Sequence, residues 1–143
     1  MHIYLGSDHG GYQMKEGLKT WLSANSYEFT DLGCFSEESV DYPDYAKEVA
    51  EKILENPGSL GVLVCGTGLG MSMVANKVPG VRAAMCTNEF MAEMAREHND
   101  AQIICFGGRV TPQDLAEKML EKFLKNEFSG EERHKRRIEK FES

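Results

Sequence analysis

The sequence has no apolar run long enough to cross a membrane, and Met1-His2-Ile3-Tyr4-Leu5 carries no basic stretch ahead of its apolar residues. A span and a secretory leader are therefore not expected, and the expected location is the cytoplasm. Cys-x-x-Cys pairs are also missing. The four cysteines, Cys34, Cys65, Cys86 and Cys105, stand apart in a chain too long for a small disulfide scaffold, so reduced thiols are expected. Positive charge is scarce: 16 Lys and Arg stand against 23 Asp and Glu, a formal net charge of −7. That balance argues against nucleic acid or an anionic membrane as the main partner, and an anionic ligand would need cations gathered locally. No repeat or low-complexity tract interrupts the chain. Its 143 residues, 41% hydrophobic, suffice for one substantial core, and residues 1–143 are expected to form one domain.

What is present alternates. Strands are expected at His2 to Ser7, Tyr27 to Leu32, Leu60 to Val64, Val81 to Cys86 and Gln102 to Phe106. Between them lie helical patterns: Met14, Leu18, Trp21 and Leu22; then Tyr45, Val49, Ile53 and Leu54; then a helix from about Asn88 to Glu97. Asp41 is expected to cap the second helix, with Pro43 in its first turn, and Asn56-Pro57-Gly58 stops it. Thr111-Pro112 opens a helix with Leu115, Met119, Leu120 and Phe123 apolar, and a charged helix follows Ser129-Gly130. Strand and helix in turn indicate an α/β fold: a parallel sheet covered on both faces. Ligands in such sheets bind beyond the carboxyl ends of the strands, near a switch point.

The richest stretch is Leu60 to Asn76. Leu60 to Val64 is a short apolar run of the kind buried on both faces of a sheet. It ends at Cys65 and enters Gly66-Thr67-Gly68-Leu69-Gly70, after which Met71, Val74 and Val78 recur at helical spacing. Glycines let backbone N–H groups approach a ligand, and the following helix presents its positive end, so an anion such as phosphate is the expected guest. No Gly-Lys-Ser/Thr follows and the spacing is not the dinucleotide fingerprint. Cys65 at the mouth of the turn sits where a positive field favours thiolate. Taken alone it reads as a small buried hydrophobe. Asp8 reads as a helix cap, His98 as a cation near a helix C-terminus, Arg82 as a structural ion pair, and His134, Lys135 and Arg136 as a solvated face. Cys86 and Cys105 read as core, and Cys34 as a loop thiol.

Several segments together resemble the type B ribose-5-phosphate isomerases, in the wider family that includes galactose-6-phosphate isomerase subunits. They are Gly6-Ser7-Asp8-His9-Gly10-Gly11-Tyr12, Asp41-Tyr42-Pro43, Cys65-Gly66-Thr67-Gly68-Leu69-Gly70, Asn76-Lys77, Arg82-Ala83, Glu97-His98-Asn99-Asp100, Phe106-Gly107-Gly108-Arg109, and Arg133-His134 with Arg137. The resemblance implies a Rossmann-like three-layer α/β/α fold with a five-stranded parallel sheet and a C-terminal helix. It implies a homodimer, with sites built across the interface and with further pairing of dimers into tetramers left open, and no metal or organic cofactor. It also implies interconversion of ribose 5-phosphate and ribulose 5-phosphate. Cys65 would then move the proton between C1 and C2. Thr67 and the backbone of Gly66, Gly68, Leu69 and Gly70 would hold the enediolate. His98 would open the furanose ring, Asp8 and His9 would contact the sugar, and Asn99 would bind its reacting end. Arg109, Arg133 and Arg137 would bind substrate, chiefly its phosphate. One departure stands out: Glu131-Glu132 occupies positions where family members often have glycine, setting two carboxylates beside Arg133.

The chemistry suits these residue types. Charge developing on a carbonyl oxygen calls for preorganised donors, which a glycine turn at a helix start supplies. A histidine can both give and take a proton, as ring opening requires. Arg133 and Arg137, one turn apart, share a helix face and suit a phosphate. The alternatives are an isomerase of allose or galactose 6-phosphate, a non-catalytic phosphosugar-binding module and a flavodoxin-like carrier. The joint presence of Cys65 and His98 speaks against the binding module.

Overall fold

A computed structural model describes residues 1–142. Its five strands are β1 (His2–Ser7), β2 (Glu28–Asp31), β3 (Leu60–Cys65), β4 (Ala83–Met85) and β5 (Ile103–Gly107). They form one sheet in the order β2-β1-β3-β5-β4, and every pairing is parallel. The helices are α1 (Tyr12–Ala24), α2 (Tyr42–Glu55), α3 (Leu69–Asn76), α4 (Glu89–Glu97), α5 (Gln113–Lys125) and α6 (Glu132–Glu142). Among the described residues no helix is long and apolar enough to cross a membrane.

The two faces of the sheet carry separate cores. Ile3, Leu5, Val62, Val64, Ile104 and Phe106 point to one face, where Leu18 and Leu22 of α1, Ala92 and Ala95 of α4 and Met119 and Phe123 of α5 cover them. Leu63, Cys65, Ile103 and Cys105 point to the other, against Val49 and Ile53 of α2 and Met71 and Ala75 of α3. This is the expected α/β/α layering. β3 is buried throughout, which explains its unbroken apolar run.

The edges depart from expectation. β4 begins at Ala83, whose backbone is held by Asn76: Nδ2 donates to Ala83 O and Oδ1 accepts from Ala83 N, each at 2.8 Å. Arg82 N donates instead to the Gln102 side chain at 2.7 Å. At α2, Asp41 is the N-cap residue but its side chain makes no cap hydrogen bond. Pro43, with its fixed φ, starts that helix instead.

The chain leaves β1 toward β2 on one side and returns to β3 on the other, so β1 and β3 flank the switch point. Their carboxyl ends carry Asp8-His9 and the Cys65–Gly70 turn.

Candidate active site

Cys65 closes β3 and is buried. The chain then turns back over it: Gly68 N donates to Cys65 Sγ at 3.1 Å. That geometry needs Gly68 at φ +83°, a left-handed conformation that glycine adopts freely. Leu69 N donates to Thr67 Oγ1 at 3.3 Å, so the Thr67 hydroxyl keeps its own proton to donate. α3 begins at Leu69, and its first-turn N–H groups lack intrahelical acceptors. The turn therefore carries a sulfur, a hydroxyl and several amide donors at one helix start.

β1 and β5 flank this turn on either side. Asp8 is buried and its Oδ1 accepts from Gly11 N at 3.0 Å, capping a short 3-10 turn. His9 Nδ1 accepts from Val40 N at 3.2 Å, which assigns the proton of the neutral ring to Nε2 and makes that nitrogen a donor. Gly108 N donates to Cys65 O at 2.8 Å and Arg109 N to Gly66 O at 3.0 Å, stitching the end of β5 to the turn. The Arg109 guanidinium lies over two glycines. A methyl on Gly66 would come within 3.1 Å of Nη1, and one on Gly10 within 3.3 Å of Nη2. Asp8, His9, Cys65, Gly66, Thr67, Gly68, Leu69, Gly70 and Arg109 thus gather at one end of the sheet.

His98, Asn99, Arg133 and Arg137 do not join them. His98 caps the C-terminus of α4, four residues before Gln102, whose carbonyl accepts from Gly61 N at the start of β3. At the rise of a strand, Gly61 and Cys65 are about 13 Å apart. The two groups face opposite ends of the sheet. A groove of about 440 Å³ opens near this second group, lined by Asn76, Arg82, Ala83, Asn99, Phe141 and Glu142, and it includes no residue of the glycine turn.

The second group holds a surprise. His134 was expected on a solvated face, yet it is the buried residue of α6 and stacks on His98, ring centroids 4.1 Å apart and planes 17° apart. The signal was available: His134, Ile138 and Phe141 recur at helical spacing in an otherwise charged helix. Burial, then the charges of His98, Arg133 and Arg137, push His134 below the usual histidine range, against the pull of Glu131. Glu131 also answers the question raised by its sequence position, since its Oε2 pairs with Arg133 Nη2 at 3.0 Å. Arg82 is structural, as expected, with ion pairs to Asp100 at 3.5 Å and Glu142 at 2.6 Å.

The remaining cysteines separate clearly. Cys86 is pushed up to about 12 by burial, and Cys105 well above its ordinary value by burial and by its thiol neighbours. Cys34 lies in a loop but is buried, its Sγ 3.8 Å from Ser7 Oγ.

Fold and site together define a doubly wound α/β protein with an anion-receptive turn and a cysteine at its switch point. Residues 3–141 match the ribose/galactose isomerase family. Ribose-5-P isomerase B of Listeria innocua is 43% identical over 130 residues, 91% of this chain and 88% of that protein. Ribose-5-phosphate isomerase B of Escherichia coli is 37% identical over 137 residues, 96% and 91% of the two chains. The solved ribose-5-phosphate isomerase B of Clostridium thermocellum superposes with a TM-score of 0.96 at 49% identity, covering 99% of this chain and 95% of that one. The chain belongs to the ribose/galactose isomerase family.

Proposed function

We infer that the protein interconverts D-ribose 5-phosphate and D-ribulose 5-phosphate through an enediolate, as one domain acting in the cytoplasm. The observation that carries this reading is the Cys65 sulfur held under the Gly68 N–H at the start of α3. Cys65 takes the proton from C2 of the open aldose and returns it at C1, while the proton of the C2 hydroxyl passes to the C1 oxygen, so that C1 becomes the alcohol and C2 the ketone. Negative charge grows meanwhile on the carbonyl oxygen. The Thr67 hydroxyl and the amides of the turn meet it, each such donor worth about 3 kcal/mol in the transition state. His9 Nε2–H and the free oxygen of Asp8 face the sugar hydroxyls. Arg109 supplies positive charge over Gly10 and Gly66.

Ribose 5-phosphate is mostly a closed ring, so a proton must first reach the ring oxygen as the C1–O bond breaks and the anomeric hydroxyl gives up its proton. His98 is assigned that work, with Asn99 at the reacting end and Arg133 and Arg137 on the phosphate. Their position at the far end of the sheet favours a homodimer in which a second copy brings them to Cys65. Exposed Leu69 and Met73, one turn apart on α3 beside the glycine turn, offer that copy an apolar contact.

The test is turnover of ribose 5-phosphate by wild type and Cys65→Ala, with chelator present. Robust wild-type turnover and a loss of about a hundredfold or more in the variant are expected for a positioned base. Full activity in the variant would move the proton transfer to another residue, and an inactive wild type would sink the pentose reading.

A further inference from the structure

His98 and His134 meet as two flat rings in parallel contact, 4.1 Å between centroids, at the junction of α4 and α6. His98 ends α4, where side chains ordinarily fray, and its backbone N–H is tied to Met94 O at 2.9 Å. Its ring, by contrast, is held by its neighbour from the other helix. His134 is only 7% exposed, so its plane is fixed by packing. Two further contacts anchor α6 and the segment before it: Ser129 N donates to Glu97 O of α4 at 3.1 Å, and Arg82 pairs with Glu142 at the other end of α6. Glu131 Oε2 and Arg133 Nε lie 3.3 Å and 3.4 Å from His134 Nε2.

We propose that His134 is a positioning residue for ring opening: a flat shelf that sets the plane of the His98 imidazole and thereby aims its proton at the ring oxygen of the closed aldose. The idea rests on the reading that His98 opens the ring. Proton transfer requires the two heavy atoms within hydrogen-bond reach and aligned, and a ring free to rotate about its side-chain bonds satisfies this only part of the time. A misplacement of about 1 Å costs on the order of a hundredfold. Burial and the cations around His134 hold it below the usual histidine range, which disfavours a positive charge beside the proton donor.

A residue that merely fastened α6 would affect both halves of the reaction alike. The shelf affects only one. Ribulose 5-phosphate has no free hydroxyl at C5 and stays open-chain, so exchange of its C1 hydrogen with solvent deuterium needs Cys65 and the glycine turn but no ring opening. The experiment compares His134→Ala, His134→Leu and His134→Phe in both readouts, with His98→Asn alongside. The Ala and Leu variants are expected to turn over ribose 5-phosphate 10- to 100-fold more slowly while exchange on ribulose 5-phosphate stays within about twofold of wild type. Phe, which restores a flat face without a titratable group, is expected to recover most of the aldose turnover. Leu and Phe carry the test if the alanine variant fails to fold. Parallel loss of both activities, no loss in either, or a Phe variant no better than Leu would overturn the proposal. Undiminished aldose turnover in His98→Asn would remove the ring-opening reading itself, and the shelf with it. Loss in His98→Asn beside unchanged His134 variants would overturn the shelf alone.

Discussion

Cys65 and His98 stand at opposite ends of one sheet. Cys65 pairs with Gly107 where β3 and β5 finish, whereas His98 lies before Ile103, which opens β5 opposite Gly61. Four residues of strand rise, about 13 Å, separate Gly61 from Cys65 along β3. On the proposed reading, in which Cys65 is the base and His98 the ring-opening acid, the two would come from two copies of the chain.

Thiol chemistry provides a direct check on the base. The thiolate is the reactive form, and burial holds Cys86 near a value of about 12 and Cys105 higher than its ordinary range. Limiting iodoacetamide at pH 7.5 is expected to modify Cys65 ahead of both, with ribose 5-phosphate slowing the reaction. Peptide mass spectrometry reads the order. Early label on Cys105 would contradict the assignment.

Arg109 lies over Gly10 and Gly66, within reach of anything seated on the turn. Charge-assisted hydrogen bonds contribute about 1.5–3 kcal/mol each. Arg109→Ala is expected to raise KM for ribose 5-phosphate by roughly 10- to 100-fold, with thermal stability little changed. An unaltered KM would place the phosphate elsewhere.

Gly107 is the strand-five residue against the turn. A methyl there would meet Thr67 O at 2.6 Å, and backbone cannot swing aside as a side chain can. Gly107→Ala is therefore expected to cut kcat/KM by about a hundredfold while the protein still folds. Wild-type kinetics in this variant would mean that Thr67 can shift without consequence.

Lys15 is fully buried, its ammonium 2.6 Å from both Asp31 Oδ1 and Cys34 O. Lys15→Met leaves Asp31 with Lys19 as its remaining cation, and a loss of about 3 kcal/mol is expected in urea unfolding. Burial works to raise the Asp31 carboxyl, but Lys15, Lys19 and the Gly33 N–H outweigh it and hold it below the usual range. A carboxyl depressed in the folded state contributes stability above its unfolded value and loses it as pH falls through the folded one. Wild type is thus expected to lose stability below about pH 4, and Asp31→Asn to flatten that limb. Superimposable acid limbs would contradict the pairing.

Much of this was legible in the residues themselves. The run Leu60 to Val64 announced a central strand, and the glycines after Cys65 announced the turn that now encloses its sulfur. The short edge strand β4 was not legible. The backbone of its first residue, Ala83, is bound by the Asn76 side chain, six residues beyond the glycine turn, a contact no local pattern announces. His134 escaped because five charged neighbours hid a stripe of three spaced residues. The separation of His98 from Cys65 follows from strand register, which only the pairing of Gly61 with Ile103 fixes.

The most direct measurement mixes two inactive proteins. Cys65→Ala retains His98, and His98→Asn retains Cys65, so a hybrid dimer holds one complete site and one doubly damaged one. With free exchange, half of the dimers are hybrids, and turnover of ribose 5-phosphate should return to about a quarter of wild type. Native mass spectrometry confirms that the subunits have exchanged. If hybrids form and activity stays at the level of the separate variants, Cys65 and His98 serve one site within a single chain, and a site shared between two copies is wrong.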